Sequence, residues 1–524
     1  MRDFQRPGRS VAYATNGMCA TSHPLAAKVA VQLLEAGGNA VDAAIAGAVL
    51  LGQCEPAMTG IGGDLFALIS PPGGEVVALN GSGRAPAGLS AAAMRDAGHA
   101  TVPLDGPEAV TLPGAVDAFC RMSADWGKIG LRASLAPAIH YAEAGIPVAP
   151  RAALDWAMHQ DKLKGAARRH FLIDDSAPRA GQIFRAPQLA EVLRRIATEG
   201  RDGFYAGEVA EDMASSLQAL GGTHSLQDYE DTRSDYGKPI SGTYAGVDLL
   251  EHPPNGVGAM AILMLNMLSH FDLSEMDPFG TERAHLEAEV AKLGFDARNR
   301  FIADPDHVSR LEHMLAPETA AELAKLISMK KALPFPAPLA EAVHKETVYL
   351  TVVDKDRMAV SLIYSVFKDF GTGLASEKFG IPFHNRGAGF TLEAGHPNEA
   401  GPGKRPMHTI LPGMLRENGR IFGSFGVMGG GYQPIGHARF LTNMRDFGMD
   451  VQEAIDGPRC FFENGKLLVE RGYAPEVHQG LADLGHDVVV PPRPIGGAQA
   501  ILIGEDGVLS AGSDPRKDGM ALGY

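Results

Sequence analysis

The sequence is short of cysteine, of clustered positive charge and of long apolar runs, and each shortage removes a class of protein. Its four cysteines, Cys19, Cys54, Cys120 and Cys460, are scattered and show no CxxC spacing. A disulfide framework or a thiolate zinc site is therefore not expected, and a reducing compartment suits the chain. Lysine and arginine number 47 against 62 acidic residues, a formal charge of −15 with no basic block. That leaves no electrostatic footprint for nucleic acid or an anionic membrane surface. No stretch reaches the roughly 18 apolar residues of a membrane-spanning helix. The opening MRDFQRPGRSVAYATNGM lacks the apolar core of a secretory signal, so a cytoplasmic location is expected. There is no GxxxxGK[ST] loop and no strand–GxGxxG–helix unit followed by an acid, which argues against nucleotide binding. No His/Cys/Asp cluster has metal-ligand spacing, so neither a metal nor a cofactor is expected.

What is present is a chain of 524 residues, 45% hydrophobic and 21% charged, ample for a large core. Its 63 glycines fall in short clusters, as tight turns near a ligand require. In HPLAAKVAVQLLEAGGNAVDAAIAGAVLLGQCEP, apolar residues recur at helical spacing from Leu25 to Leu34 and stop at Gly37-Gly38. Asn39 then caps a second helix to about Leu51, with Asp42 as a buried polar residue holding a local partner. MTGIGGDLFALIS reads as a glycine turn running into a strand, with Asp64 a satisfied turn acid. Residues 106–345 read as mainly helical, around a strand at GVDLLEHPP and a buried helix in NGVGAMAILMLNML. From residue 347 strands dominate: TVYLTVVD alternates in period two, DKDR turns, and MAVSLIYSV returns. GRIFGSFG, LLVE, HDVVV, AQAILIGED and VLSAG follow, with helices near 434–445 and 475–484. A stack of central sheets covered by helices, with strands from both halves, is the expected architecture.

Thr347 stands out for its setting. It opens a strand behind the exposed-looking stretch PAPLAEAVHKE, the returning strand carries Ser365 back beside it, and GVMGGGYQP offers a run of backbone N–H groups. AGGNAVDAAIA (36–46), TGIGGDLF (59–66), TVYLTVVDKD (347–356), FGTG (370–373), GKRPMHTILP (403–412), MGGGYQP (428–434) and SDPRKDGMALGY (513–524) together resemble the γ-glutamyltranspeptidase family of N-terminal nucleophile hydrolases. The likeness spans nearly the whole chain. It implies an α/β (α+β) fold, the four-layer αββα sandwich, made as a precursor that cuts its own backbone. The expected cut falls between Glu346 and Thr347 and leaves a helix-rich large subunit, 1–346, and a strand-rich small subunit, 347–524. Thr347 becomes the nucleophile, and its freed α-amine, with a reference pKa of about 7.7–8.0, becomes the base. Thr351 and Ser365 match positions that hydrogen-bond the nucleophile and its amine, and the N–H groups around Gly429 and Gly430 match the oxyanion hole. A dimer of heterodimers is implied as possible. Asp514 and Arg516 of the SDPR tail are expected to pair structurally.

The resemblance fails at the residues that hold a γ-glutamyl group. The carboxylate-binding arginine falls on Ser82, with Arg84 two positions on; the asparagine falls on Phe367; the acidic or amide position is Arg386 and the aspartate is Gly389; the paired serines are His408 and Thr409. A partner for a substrate ammonium is gone while an arginine and an aromatic ring enter. The expected partner is thus a small-molecule amide bearing a carboxylate and no α-amine, held by Arg84 or Arg386, with Phe367 narrowing the pocket and His408 and Thr409 in contact. This profile is similar to the oxamate amidohydrolase branch. A γ-glutamyl hydrolase or transferase, a cephalosporin-acylase-like specificity and a non-processing ligand-binding member are the alternatives. The short stretch from Phe390 to Gly403 predicts an open site.

Overall fold

Asn39 starts a helix because its side chain supplies what the first turn lacks. In the computed structural model, which describes residues 5, 8–334 and 347–524, α1 (Pro24–Glu35) leads through Gly37, at φ 95°, into α2 (Ala40–Cys54). Asn39 accepts the Val41 and Asp42 N–H groups while Asp42 accepts the Asn39 N–H, a reciprocal capping box. Asp42 also accepts the Lys128 N–H across the loop.

Strands β1 (Ala12–Ala14), β2 (Met18–Thr21), β3 (Asp64–Ser70), β4 (Val77–Gly81), β5 (Asp235–Gly237), β6 (Ile240–Tyr244), β7 (Val247–Glu251), β8 (Val348–Val353), β9 (Ala359–Ser365), β10 (Pro412–Glu417), β11 (Arg420–Met428), β12 (Gly497–Ile503), β13 (Leu509–Ser513) and β14 (Met520–Gly523) build two seven-stranded sheets. The first runs β14-β2-β8-β9-β3-β4-β5 and the second β1-β13-β12-β11-β10-β7-β6, antiparallel throughout. Helices α1 and α2 lie on the outer face of the first sheet. On the second lie α3 (Gly258–Leu268) and α5 (Gln433–Arg445), with α4 (Thr281–Phe301) packed against α3. The layers are therefore αββα. Both sheets mix strands from before residue 335 with strands from after residue 346.

The period-two reading of β8 holds, but neither face meets water. Val348, Leu350 and Val352 pack among the helices of the first sheet, while Tyr349 and Thr351 face the second sheet. Buried hydroxyls need partners: Thr351 Oγ1 donates to Ser424 Oγ at 2.6 Å, and Tyr349 Oη lies 2.7 Å from Ser361 Oγ. Gly426 leaves room for the Tyr349 ring, which a β-carbon there would meet at 2.3 Å. The short strands β1, β2, β10 and β14 were not anticipated. Asp514 does pair with Arg516, at 3.3 Å, and more closely with Arg459, at 2.6 Å. Among the described residues, no helix is long and apolar enough to cross a membrane.

Candidate active site

Cross-strand register lines up a polar row. Val348 pairs with Tyr364, so Thr347 falls opposite Ser365, and Thr347 Oγ1 donates to Ser365 Oγ at 3.3 Å. Ser365 in turn pairs with Asp64 on β3, and Asp64, one step beyond the Leu65–Gly81 pair, falls opposite Ser82. Directly opposed residues share a sheet face. Thr347, Ser365, Asp64 and Ser82 thus form one row across four strands, and all are buried. Glu346 lies outside the described residues.

The facing sheet brings the glycine turn to the same level. Thr351 meets Ser424 and Tyr349 meets Gly426, a progression that carries Thr347 to Met428, the last residue of β11. Directly after it Gly429 takes φ 120° and Gly430 φ 56°, left-handed values that suit glycine. A one-turn helix from Gly430 to Tyr432 then leads into α5. Thr351 is committed to Ser424, which the sequence reading did not single out.

Asp64 is the centre of the row's far end. Its Oδ1 accepts the Gly83 N–H at 2.9 Å. Its Oδ2 lies 3.1 Å from His384 Nδ1, 3.2 Å from His408 Nε2 and 3.6 Å from Arg386 Nε. Burial alone would raise this carboxyl; His384 and His408 overcome that and hold it well below the usual carboxylate range. Burial, reinforced by Arg386, lowers His408 to about 3. Its Nδ1 faces the Ile410 N–H at 3.4 Å, so its proton sits on Nε2, towards Asp64. His384 Nε2 lies 2.6 Å from the Thr111 carbonyl oxygen.

Arg386 NH1 donates to Thr409 Oγ1 at 3.2 Å, and the guanidinium lies 4.2 Å over the Phe367 ring. Phe367 itself adopts φ 78°, an unfavourable value for an aromatic residue, and its N–H donates to Ser365 Oγ at 2.9 Å. Ser365 therefore ties the nucleophile candidate to the arginine's platform. Arg84 is elsewhere: its side chain, 43% exposed, is held by Asp304 and the Gly403 carbonyl. The residues of the row and Arg386, His408 and Thr409 are buried rather than open to solvent.

Neither Asp64, within TGIGGDLF, nor His384, two residues before Arg386, stood out in the sequence as a candidate site residue. A second buried cluster gathers His285, Glu289 and His486, ligand atoms within 4.8 Å of one another. A cation is already present there, since Lys292 Nζ lies 2.7 Å from Glu289 Oε1.

The chain matches the Gamma-glutamyltranspeptidase family model over residues 26–524. It is 34% identical to the glutathione hydrolase-like YwrD proenzyme of Bacillus subtilis, over 97% of this chain and 98% of that protein. It is 34% identical to the oxamate amidohydrolase proenzyme of Klebsiella pneumoniae, over 98% of this chain and 99% of the other. Among solved structures, a cephalosporin acylase from Bacillus halodurans superposes with a TM-score of 0.93 at 37% identity, covering 100% of this chain and 99% of that one.

Proposed function

This chain belongs to the γ-glutamyltranspeptidase family, and from that premise we propose that it cuts itself before Thr347 and hydrolyses a small amide whose acyl part carries a carboxylate and no ammonium, oxamate being the type. The observation that carries the reading is the setting of Arg386: a buried guanidinium stacked on Phe367, tied through Ser365 to Thr347. A planar fork of this kind suits a carboxylate. Asp64 does not supply the missing ammonium site, because both its oxygens already face donors. A buried ammonium without a partner would cost about 3–5 kcal/mol. The oxamate amidohydrolase relative supports the same substrate class.

The chemistry follows. Thr347 Oγ adds to the amide carbonyl while the free α-amine takes its proton. N–H groups at the Gly429–Gly430 turn stabilise the oxyanion. Collapse breaks the C–N bond, the amine returns the proton to the leaving nitrogen, and ammonia departs. Water then adds to the acyl ester by the same base and frees oxalate. The large and small subunits stay joined through shared sheets, and a dimer of such heterodimers is part of the proposal.

Intact mass under denaturing conditions tests the first half. Two fragments meeting at Glu346/Thr347 in the wild type and one full-length chain for Thr347→Ala are expected; an uncut wild type overturns it. Ammonia release from oxamate against nitroaniline release from γ-glutamyl p-nitroanilide tests the second, and turnover of the anilide alone would transfer the chain to the glutathione-hydrolase reading.

A further inference from the structure

Two buried side chains behind the glycine turn have no part in the chemistry above. His437, on α5, places Nε2 3.3 Å from the Val427 N–H and Nδ1 2.7 Å from Glu251 Oε1. Both side chains are fully buried. Val427 lies two residues before Gly429, just where β11 loses a neighbour: the ladder with β10 ends at the Pro412–Gly426 pair. His437 takes over as the acceptor for the last part of the strand.

We propose that Glu251 and His437 are positioning residues that set the strand end carrying the Gly429–Gly430 turn, with Glu251 fixing the histidine tautomer. The inference rests on reading that turn as the oxyanion site. Because Nε2 must accept from Val427 N–H, the ring proton belongs on Nδ1, and Glu251 Oε1 is there to receive it. Without that acceptor the ring is free to put its proton on Nε2, donor against donor, and the strand end shifts away. Oxyanion donors work only within about 2.7–3.1 Å of the oxygen they stabilise, so a displacement of a few tenths of an ångström reaches the reaction. Packing gives no reason for an acid at this place: burial pushes the Glu251 carboxyl up, against the opposing pull of His437, and Glu251 Oε2 has no hydrogen-bond partner among the described residues. An apolar residue would avoid that penalty.

The order of two variants separates positioning from packing. Glu251→Gln keeps an oxygen acceptor for Nδ1–H; Glu251→Leu removes it and removes the buried acid as well. The readouts are kcat and KM on oxamate or γ-glutamyl p-nitroanilide, whichever the wild type turns over faster, with the thermal midpoint beside them. Expected are a kcat within about threefold of wild type for Glu251→Gln and a fall of about 10–100-fold for Glu251→Leu, with KM within about twofold. Equal kcat for the two, or a loss confined to KM or matched by the thermal midpoint, overturns the proposal. Should Glu251→Leu not fold, His437→Phe keeps the ring volume and removes the acceptor; unchanged kcat there is equally fatal. Thr347→Ala run alongside keeps the two ideas apart: activity surviving in that variant overturns the nucleophile reading instead.

Discussion

Two buried clusters use the same residue types to opposite ends. At the row beside Thr347, Asp64 draws in His384, His408, Arg386 and the Gly83 N–H, donors from separate segments of the chain. On α4, Glu289 sits with His285, Lys292 and His486, three of the four on one helix. There the partners go to main chain: His285 Nε2 lies 2.8 Å from the Ser328 carbonyl, Lys292 Nζ donates to the Leu333 carbonyl at 2.9 Å, and Glu289 Oε2 accepts the Leu333 N–H at 2.6 Å. The first cluster joins separate segments beside Thr347, and the second fastens the segment around Ser328 and Leu333. An acid, histidines and a cation do not identify a site by themselves. What they are spent on does.

The hardest test of that division is Asp64→Asn. It leaves Arg386 and His384 facing an amide in place of a carboxylate, and kcat/KM on the carboxylate-bearing amide should fall by about 100-fold or more, since a misplaced substrate-holding group acts on the reaction directly. Glu289→Gln should do the reverse: urea unfolding should show a loss of about 3 kcal/mol, as for a buried pair deprived of one partner, while kcat/KM of the folded enzyme stays within about twofold. A comparable loss of activity for Glu289→Gln would erase the distinction.

Acid should weaken both clusters. His408 and His486 are each held at about 3, burial being the main cause in both, while the unfolded chain takes up the proton near pH 6.5. The unfolded state thus binds more protons between these values, so the contribution is complete above about pH 6.5 and is lost as pH falls towards 3. Each histidine should remove about 2 kcal/mol between pH 7 and pH 5, and His408→Asn or His486→Asn should flatten the urea-measured slope by that share. Asp64 works in the same sense but lower: its carboxyl is held below the usual range, so its contribution is lost only as pH falls below about 4 and adds no slope between pH 7 and pH 5. The smallest effect expected is for Phe367→Leu, which removes the ring under Arg386. KM for the carboxylate-bearing substrate should rise about 3–10-fold with kcat little changed, the scale of one desolvated cation–π contact; an unchanged KM would detach Phe367 from substrate binding.

The residues that were legible in the sequence are those whose reasons are local. Asn39 and Asp42 cap a helix three residues apart, Leu25 to Leu34 keep one period, and Thr347 stands at the head of a hairpin whose partner strand returns Ser365 within twenty residues. Asp64 looked like a turn acid because the groups that explain it, His384, Arg386 and His408, come more than 300 residues later. Arg84 looked like a pocket residue because it sits two positions from Ser82; a turn of backbone aims it at Asp304 instead. Strands as short as β1, β2 and β14 carry too few residues to show a period, and they form against edges offered by β13, β8 and β2 respectively. Thr351 pairs with Ser424 through the space between sheets, a relation that no spacing along the chain encodes.

The mixing of strands in the first sheet has one more consequence. From β14 through β2, β8, β9 and β3, segments on either side of Thr347 are stitched together by main-chain hydrogen bonds. The proposed cut therefore divides the covalent chain without dividing the molecule, yet it alters how the molecule could be made a second time. An uncut precursor finds its own partner strands at any dilution, whereas two separated pieces must meet by diffusion, with a yield that follows concentration. Maturation would leave the native shape almost untouched while making its recovery after unfolding a matter of concentration, which it was not for the precursor.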